Sequence, residues 1–403
     1  MSINFKELAN KYQTPYYVYD FDYITTQYQE LKSAFKARKS LIAYAVKANS
    51  NLSVIKHLGD QGAGADCVSI GEVKRAIKAG IAKYKIIFSG VGKTDDEIRQ
   101  ALELDILMIN VESEAELHRV DTIAQELDKI ARISIRVNPN VDPLTHPYIS
   151  TGLHENKFGV DINTAKRMYI FTKNSKFLDP VGIHCHIGSQ LTELEPLKEA
   201  INILADLVRN IKSALKIELS FFDIGGGLGI VYDDETLIDT YEYTQMIMDS
   251  LFGLDITVVC EPGRFIVGNS GTFVSKVLYE KVNGDKRFVI VDGAMNDLLR
   301  PALYDAFHKV EVLDKAADKS DCNVVGPVCE SGDFFAKNIE LPKTEHNDLV
   351  AIHSAGAYGF TMASNYNTRP KVVEIAIEDG KDRLIGRRQT FEDLIALEEE
   401  FLQ

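Results

Sequence analysis

The chain has 403 residues, of which 45% are hydrophobic and 26% are charged, and its formal net charge is −14 at pH 7. This length allows one large or two ordinary domains, and the composition excludes a disordered or fibrous protein. An acidic chain lacks the basic face with which nucleic-acid-binding proteins neutralise phosphates, so a nucleic acid is not an expected partner.

The segment "MSINFKELANKYQTPYYVYD" has no basic-then-apolar signal pattern, and no later apolar run is long enough to span a bilayer. We therefore expect a cytoplasmic protein without a membrane partner. The five cysteines are odd in number and never spaced C-x-x-C, so neither a disulfide framework nor a structural zinc site is expected. His184 and His186 share one face of a predicted strand, but no third ligand lies at suitable spacing, and we predict no metal site.

After residue 24, short apolar runs rich in β-favouring residues alternate with amphipathic helical patterns. This alternation predicts βαβ units and a parallel sheet. The predicted strands cover residues 41–48, 64–69, 85–90, 106–111, 131–138, 181–188, 221–227 and 256–263. Eight units over roughly 240 residues match a (β/α)8 TIM-type barrel, for which about 250 residues is typical. Alternation alone would also permit a doubly wound open sheet.

From about residue 265 the pattern changes, because apolar runs such as "KRFVIVDG" and "DLVAIHSAG" follow one another with few long helical segments between them. This pattern predicts a mainly antiparallel β domain, built as a sandwich or barrel-like sheet. The N-terminal "PYYVYD" has the same character. We therefore expect a barrel domain over 25–264 and a second domain formed by 1–24 and 265–403.

Unusual residues gather at the carboxyl ends of the predicted barrel strands, where barrel enzymes carry their chemistry. They are Lys47, Asp66, Arg136, His184, His186, Ser189, Gly225, Gly226, Gly227, Glu261, Pro262, Gly263 and Arg264. Each has a structural explanation of its own: a lone lysine usually points to water, a "GGGLG" segment is more often a turn, and an arginine can form a salt bridge. Their concentration at one rim instead predicts an active site.

The combination of residues suggests pyridoxal phosphate. A glycine loop after the seventh strand of a barrel is a common phosphate-binding site. The amine of Lys47 would form a Schiff base with the cofactor aldehyde, and burial would lower the pKa of that amine. A carboxylate beside the pyridine nitrogen, for which Glu261 is the candidate, keeps that nitrogen protonated.

Seven segments occur in a fixed order: "YAVKAN", "HCHIGSQ", "DIGGGLGI", "CEPGRFIV", "VDGAMNDLLRPALYDAFH", "GPVCESGDFFAK" and "GAYGFTMASNYNTRP". With them the chain resembles the alanine-racemase-like (fold-type III) pyridoxal-phosphate enzymes and, within these, the diaminopimelate decarboxylases. The resemblance covers nearly the whole length. It implies decarboxylation of meso-2,6-diaminopimelate to L-lysine and CO2, the last step of lysine biosynthesis, with pyridoxal 5'-phosphate as cofactor.

The resemblance also implies residue roles. Lys47 is similar to the Schiff-base lysine, and His186 to the imidazole stacked on the cofactor ring. The remaining cofactor-binding residues would be Asp66, Ser189, Gly225, Gly226, Gly227, Glu261, Pro262, Gly263, Arg264 and Tyr358. Substrate would be bound by Arg264, Arg300 and Tyr304 at its distal carboxylate, by Glu330 at its distal ammonium, and by Tyr358. Cys329 would protonate the α-carbon, with "CESGD" reaching the site from the partner subunit of a homodimer.

Three alternatives stay open at this point. A decarboxylase of ornithine, arginine or carboxynorspermidine would share the fold, although the arginine of "LLRPALY" suits a substrate that ends in a carboxylate. An amino-acid racemase fits less well, because racemases of this type lack the thiol of "CESGD". A non-catalytic pyridoxal-phosphate carrier could dispense with the substrate-binding residues.

The polar loop at 139–160 suggests a lid over the barrel mouth.

Overall fold

The computed structural model describes residues 3–142, 156–316 and 318–402. The chain forms two compact units, which we call the barrel unit (Thr26–Ile230 and Thr236–Phe265) and the sheet unit (Met1–Thr25, Val231–Glu235 and Ile266–Gln403). We propose these as the two domains expected from the sequence. Much of the lid suggested at 139–160 lies outside the described residues. Within the described ranges, no helix is long and apolar enough to cross a membrane.

The strands are, in chain order, β1 (Tyr16–Asp20), β2 (Ser40–Ala45), β3 (Gly64–Cys67), β4 (Ile86–Phe88), β5 (Met108–Val111), β6 (Ala131–Arg136), β7 (Leu178–His184), β8 (Phe221–Asp223), β9 (Thr257–Cys260), β10 (Gly271–Asn283), β11 (Lys286–Val291), β12 (Val310–Val312), β13 (Lys319–Val325), β14 (Phe334–Pro342), β15 (Leu349–Ile352), β16 (Val373–Glu378) and β17 (Lys381–Gly386).

The α-helices are α1 (Phe5–Tyr12), α2 (Phe21–Ala34), α3 (Leu52–Asp60), α4 (Ile70–Lys78), α5 (Asp95–Leu104), α6 (Glu114–Glu126), α7 (Ile162–Asn174), α8 (Glu195–Asn210), α9 (Thr240–Ser250), α10 (Arg264–Val267), α11 (Arg300–Tyr304) and α12 (Phe391–Ile395). Polar N-caps start several of them, since the hydroxyls of Ser69, Thr94 and Ser113 each accept a hydrogen bond from a backbone N–H three residues later.

In the barrel unit, β2 to β9 form a closed barrel of parallel strands, and β9 pairs with β2 to complete it. Both the (β/α)8 prediction and its eight strands are confirmed. The last two predicted strands, 221–227 and 256–263, are longer than the observed ones because their final residues leave the ladder. Those residues are the glycine loop and the "EPG" turn, which instead shape the carboxyl end of the barrel.

In the sheet unit, the strands follow the order β14-β13-β11-β10-β1-β16-β17, and β15 pairs with both β10 and β12. Most pairs are antiparallel, while β1 runs parallel to β16 and β11 runs parallel to β13. The prediction of a mainly antiparallel β domain is therefore confirmed. The N-terminal β1 lies in the middle of this sheet with its first four residues buried, and Tyr16 and Val18 pack against Val274 and Ile375.

Candidate active site

Lys47 and Asp66 form an ion pair at the carboxyl end of the barrel. Lys47 lies in a 3-10 turn directly after β2, and its Nζ is 3.5 Å from Asp66 Oδ2 in β3. The lysine side chain is 40% exposed in the single chain and is therefore only partly buried, whereas the aspartate is only 1% exposed. Burial and the charge of Glu261 raise the pKa of Asp66, and the Lys47 ammonium opposes this rise.

The glycine loop after β8 has no room for side chains. A Cβ on Gly225 would lie 2.5 Å from the carbonyl oxygen of Cys185, and one on Gly226 would lie 2.3 Å from that of Glu261. Gly225 and Gly227 also have positive φ angles of 67° and 126°, which glycine adopts without strain. The loop therefore presents bare backbone at the strand ends, as an oxyanion-binding loop requires.

His186 is a neutral imidazole in this setting. Its Nδ1 accepts a hydrogen bond of 3.2 Å from the backbone N–H of Gly226, which assigns the ring proton to Nε2. Burial, followed by the positive charges of Lys47 and Arg136, lowers the pKa of His186 well below its usual value. The ring is thus fixed to the glycine loop at one edge and uncharged at neutral pH.

The "EPGR" segment joins the end of β9 to the neighbouring strand ends. The carbonyl of Pro262 accepts a hydrogen bond of 3.2 Å from the backbone N–H of Ala45, and a Cβ on Gly263 would lie 2.9 Å from the Cβ of Ala48. Arg264 is buried and donates from Nε and Nη2 to Ser189 Oγ at 3.3 and 3.1 Å. A guanidinium and a hydroxyl therefore lie together at this end of the barrel.

Three buried side chains at the ends of β7, β8 and β9 converge: His184, Asp223 and Glu261, with one polar atom of each within 4.8 Å of the others. Glu261 Oε2 lies 3.3 Å from His184 Nε2. Burial would raise the pKa of Glu261, but the charge and hydrogen bond of His184, with a hydrogen bond from Asp223, lower it to about 2. Burial and the negative charge of Glu261 raise the pKa of Asp223 well above its usual range.

The two acids of this cluster differ in protonation, with Glu261 a carboxylate and Asp223 a carboxylic acid. Asp223 Oδ2 and Glu261 Oε1 are buried and have no donor among the described residues when both groups are ionised. The two carboxyl groups are hydrogen-bonded to each other, and the raised pKa of Asp223 assigns the shared proton to that residue. These are also residue types that bind metal ions, and spacing along the chain did not predict their convergence.

Sequence reasoning missed Asp223 and also Glu112, which forms a buried ion pair with Arg136 at 3.0 Å. Asp223 ends an apolar strand in "FFD", and Glu112 directly follows one in "INVE". That signal is the same one that singled out Lys47, so it could have identified both residues. Their partners could not be named, because these come from strands far away in the sequence.

In the sheet unit, α11 carries two of the predicted substrate-binding residues. Arg300 is buried, and Tyr304 is half-buried. The Arg300 guanidinium lies over the ring of Tyr232 at 5.0 Å and contacts His308 Nε2 at 2.9 Å through Nη1. Neither Tyr232 nor His308 was predicted as a site residue.

The "CESGD" segment is fixed by the "NYN" segment of the same unit. The exposed Cys329 donates its backbone N–H to Asn367 Oδ1 at 3.1 Å, and Glu330 Oε2 accepts a hydrogen bond of 2.9 Å from the Tyr366 hydroxyl. The adjacent residues Tyr366 and Asn367 thus hold the carboxylate of Glu330 and the backbone of Cys329. Tyr358 is half-buried and has a φ of 58°, in the left-handed region that non-glycine residues seldom adopt.

The barrel residues fit a phosphate-bearing pyridoxal cofactor. The glycine loop carries no side chains that could cover its backbone N–H groups, because a Cβ at Gly225 or Gly226 would collide with main-chain oxygens, and Arg264 with Ser189 supplies hydrogen-bond donors of the kind that bind phosphate. Lys47 offers an amine, and the low pKa of Glu261 provides the anion that a pyridinium nitrogen needs. The donor set is therefore consistent with the group that the sequence suggested.

Comparison with known proteins places the chain in a family. Residues 21–268 match the family model described as pyridoxal-dependent decarboxylase, pyridoxal binding domain. The chain is 60% identical to the diaminopimelate decarboxylase of Campylobacter jejuni over 402 residues, covering all of both chains, and 55% identical to that of Helicobacter pylori, covering 99% of each.

Solved structures agree. The crystal structure of diaminopimelate decarboxylase from Helicobacter pylori complexed with L-lysine matches with a TM-score of 0.96 and 55% identity, over 99% of this chain and 100% of that one. A lysine/ornithine decarboxylase from Vibrio vulnificus matches at 24% identity with a TM-score of 0.82, which shows a shared fold alone. The chain therefore belongs to the diaminopimelate decarboxylase family of fold-type III pyridoxal-dependent decarboxylases.

Proposed function

We propose that this chain decarboxylates meso-2,6-diaminopimelate to L-lysine and CO2, with pyridoxal 5'-phosphate as cofactor. The observation that carries the proposal is the arrangement at the barrel rim, where an accessible lysine amine, a side-chain-free glycine loop and an anionic glutamate lie at the ends of β2, β8 and β9. Identity of 60% over the whole length to a diaminopimelate decarboxylase supports the choice of substrate.

The barrel residues would bind and orient the cofactor, which when bound withdraws electrons from the bond to the departing carboxylate. Lys47 would hold it through its amine, next to the Asp66 carboxylate. The other cofactor-binding residues would be His186, Ser189, Gly225, Gly226, Gly227, Glu261, Pro262, Gly263 and Arg264. Because His186 is neutral, it would cover the ring face without competing for the negative charge of Glu261.

The sheet-unit residues would select the substrate and deliver a proton. Arg264, Arg300 and Tyr304 would bind the distal carboxylate, and Glu330 would bind the distal ammonium, as the family resemblance implies. A bidentate arginine–carboxylate contact fixes orientation as well as charge. Substrates without the distal carboxylate would leave these polar groups unpaired and so bind poorly. Cys329 Sγ would donate the proton to the α-carbon, and Tyr358 would contact cofactor and substrate.

The assembly and location belong to the same proposal. Family resemblance suggests a homodimer in which the segment of Cys329 and Glu330 completes the site of the partner subunit. The exposure of Cys329 in the single chain is in keeping with that suggestion. All five cysteines are free thiols, which accords with a cytoplasmic location.

The test is CO2 release from the cofactor-loaded protein with meso-diaminopimelate, ornithine, arginine and carboxynorspermidine. We expect release from diaminopimelate alone. Release mainly from another substrate would overturn the assignment of the distal site, and no release from any would favour a non-catalytic carrier. In Lys47→Ala we expect no turnover, and borohydride reduction followed by peptide mass spectrometry should locate the cofactor on Lys47 in the unmodified chain only.

A further inference from the structure

The guanidinium of Arg300 is held on two sides by groups of the sheet unit. Its Cζ lies over the Tyr232 ring, 5.0 Å from the ring centroid, and its Nη1 is 2.9 Å from His308 Nε2. The Tyr232 and His308 rings are nearly perpendicular, at 88° and 5.5 Å between centroids. Arg300 and His308 are only 7% and 2% exposed, so water competes little for these contacts.

The contact fixes which nitrogen of His308 carries the proton. A guanidinium has donors only, so His308 Nε2 must accept the hydrogen bond and cannot bear a proton. His308 Nδ1 lies 2.8 Å from the carbonyl oxygen of His353, which can only accept, so Nδ1 carries the hydrogen. His308 is therefore a neutral imidazole that connects a backbone carbonyl to the side chain of Arg300.

The position of the imidazole is fixed by the strands on either side of it. His308 lies two residues before β12, and Val310 of β12 pairs with Ile352 of β15. The backbone N–H of His353 also donates to the carbonyl of Lys309 at 2.9 Å. The acceptor of the Nδ1–H thus belongs to the same strand pair that positions His308, and the imidazole is a rigid support for the arginine.

We propose that His308 is a positioning residue for substrate selection: its Nε2 lone pair orients the Arg300 guanidinium toward the distal carboxylate of the substrate. The inference rests on the proposed function, in which Arg300 binds that carboxylate. Fixing one Nη1 hydrogen on His308 and one face on Tyr232 restricts the rotation of the guanidinium. The guanidinium is then already oriented for a bidentate contact with the carboxylate before substrate binds.

Two substitutions separate the two hydrogen bonds of the imidazole. The amide of His308→Gln can place an oxygen near the position of Nε2 and accept from Arg300. The shorter His308→Asn can place its amide N–H near Nδ1 and keep the bond to His353, but it cannot reach Arg300. Both variants are polar and similar in size, so a general loss of packing would affect them alike.

The measurements are kcat and KM for meso-diaminopimelate, with inhibition constants for L-lysine and cadaverine. L-lysine keeps the amino-acid group of the distal end, and cadaverine is the same chain without that carboxylate. In His308→Asn we expect KM and the lysine inhibition constant to rise about tenfold, with kcat changed less than about threefold and cadaverine inhibition unchanged. His308→Gln should stay near the wild-type values.

Equal effects of the two variants, or equal weakening of lysine and cadaverine, would overturn the proposal and make His308 a packing residue. The lysine-to-cadaverine ratio is measured on folded enzyme only, so it stays informative where a variant is partly unfolded. As a second probe, Tyr232→Leu removes the ring that the guanidinium packs on. It should raise the ratio of the inhibition constant for L-lysine to that for cadaverine. Wild-type enzyme that does not decarboxylate diaminopimelate would instead overturn the proposed function, before any variant is compared.

Discussion

One proton sets the charge of the buried carboxyl pair at the barrel rim. The pKa of Asp223 is raised by burial and by the charge of Glu261, while His184 keeps Glu261 ionised. An asparagine at position 223 would have the same shape as the acid and would still donate to Glu261. We therefore expect Asp223→Asn to retain kcat within about tenfold, while Glu261→Gln loses about 100-fold or more because it removes the anion.

Steady-state kinetics and the absorbance of bound cofactor would be measured for both variants, together with melting temperature. Asp223→Leu is the control for the hydrogen bond, since it is neutral but cannot donate. If Asp223→Asn were as damaging as Glu261→Gln at unchanged cofactor content, Asp223 would be the anion of the pair.

Burial also shifts the proton affinity of Asp297 in the sheet unit. The pKa of this carboxyl is raised to about 6 by burial, in spite of a hydrogen bond from the Ala294 N–H and the charge of Arg369. The folded state therefore binds a proton more tightly than the unfolded state, and stability from this group increases as the pH falls through 6. Wild type should gain about 1 kcal/mol over Asp297→Asn between pH 7 and pH 5.

Melting temperatures of the two proteins, measured in parallel across this range, give the difference for Asp297 with other titrating groups cancelled. The raised pKa would be contradicted if the difference in melting temperature between wild type and variant did not change with pH. It would also be contradicted if the wild type became less stable relative to the variant as the pH fell to 5.

At the scale of elements, the segments that follow the strands shape the proposed site more than the strands do. β8 ends at Asp223 and β9 ends at Cys260, and the segments that follow them are in contact where the Gly226 backbone lies against the Glu261 carbonyl. The backbone N–H of Glu261 donates to the carbonyl of Gly225 at 2.7 Å. The glycine loop and the "EPG" turn are thus one contact surface.

A methyl group at Gly226 should push the glycine loop and the "EPG" turn apart. Its Cβ would lie 2.3 Å from a main-chain oxygen, which cannot rotate away as a side chain can. Gly226→Ala should destabilise the fold by about 1–3 kcal/mol and weaken cofactor binding. Gly92→Ala is the matched control, because its Cβ would meet no atom within 4 Å. Denaturant unfolding and cofactor titration test this, and equal behaviour of the two variants would exclude the steric argument.

The barrel could be predicted from the sequence because its signals are local. Eight apolar runs of strand length, each ending in a polar or glycine residue or directly followed by one, indicate both the strands and the rim. The contacts between strand ends are not local. Asp223 meets Glu261 only when β8 and β9 pair. His308 lies only eight residues after Arg300, but their contact depends on the segment between α11 and β12, which is neither helix nor strand. No periodicity encodes either contact.

At the scale of the whole molecule, the proposed homodimer would build each active site from residues of two chains. Lys47 belongs to the barrel unit and Cys329 to the sheet unit, where the thiol is exposed in the single chain. In a closed two-fold dimer, each site can take the lysine from one chain and the cysteine from the other. Such sharing makes a quantitative prediction for mixed dimers.

Lys47→Ala and Cys329→Ala should each be nearly inactive as homodimers, yet co-expression of the two should restore activity. A hybrid dimer has one site with both residues intact and one with neither. Random pairing makes about half of the dimers hybrids, so the mixture should reach about one quarter of the wild-type activity per subunit.

Differently tagged chains allow the hybrid to be purified, and sedimentation gives its mass. The matched control pairs Lys47→Ala with Glu261→Gln, which both lie in the barrel unit. Every site of that hybrid carries one defective barrel, so it should stay inactive. An inactive hybrid of Lys47→Ala with Cys329→Ala would show that each chain completes its own site, because the two defects could then never be separated.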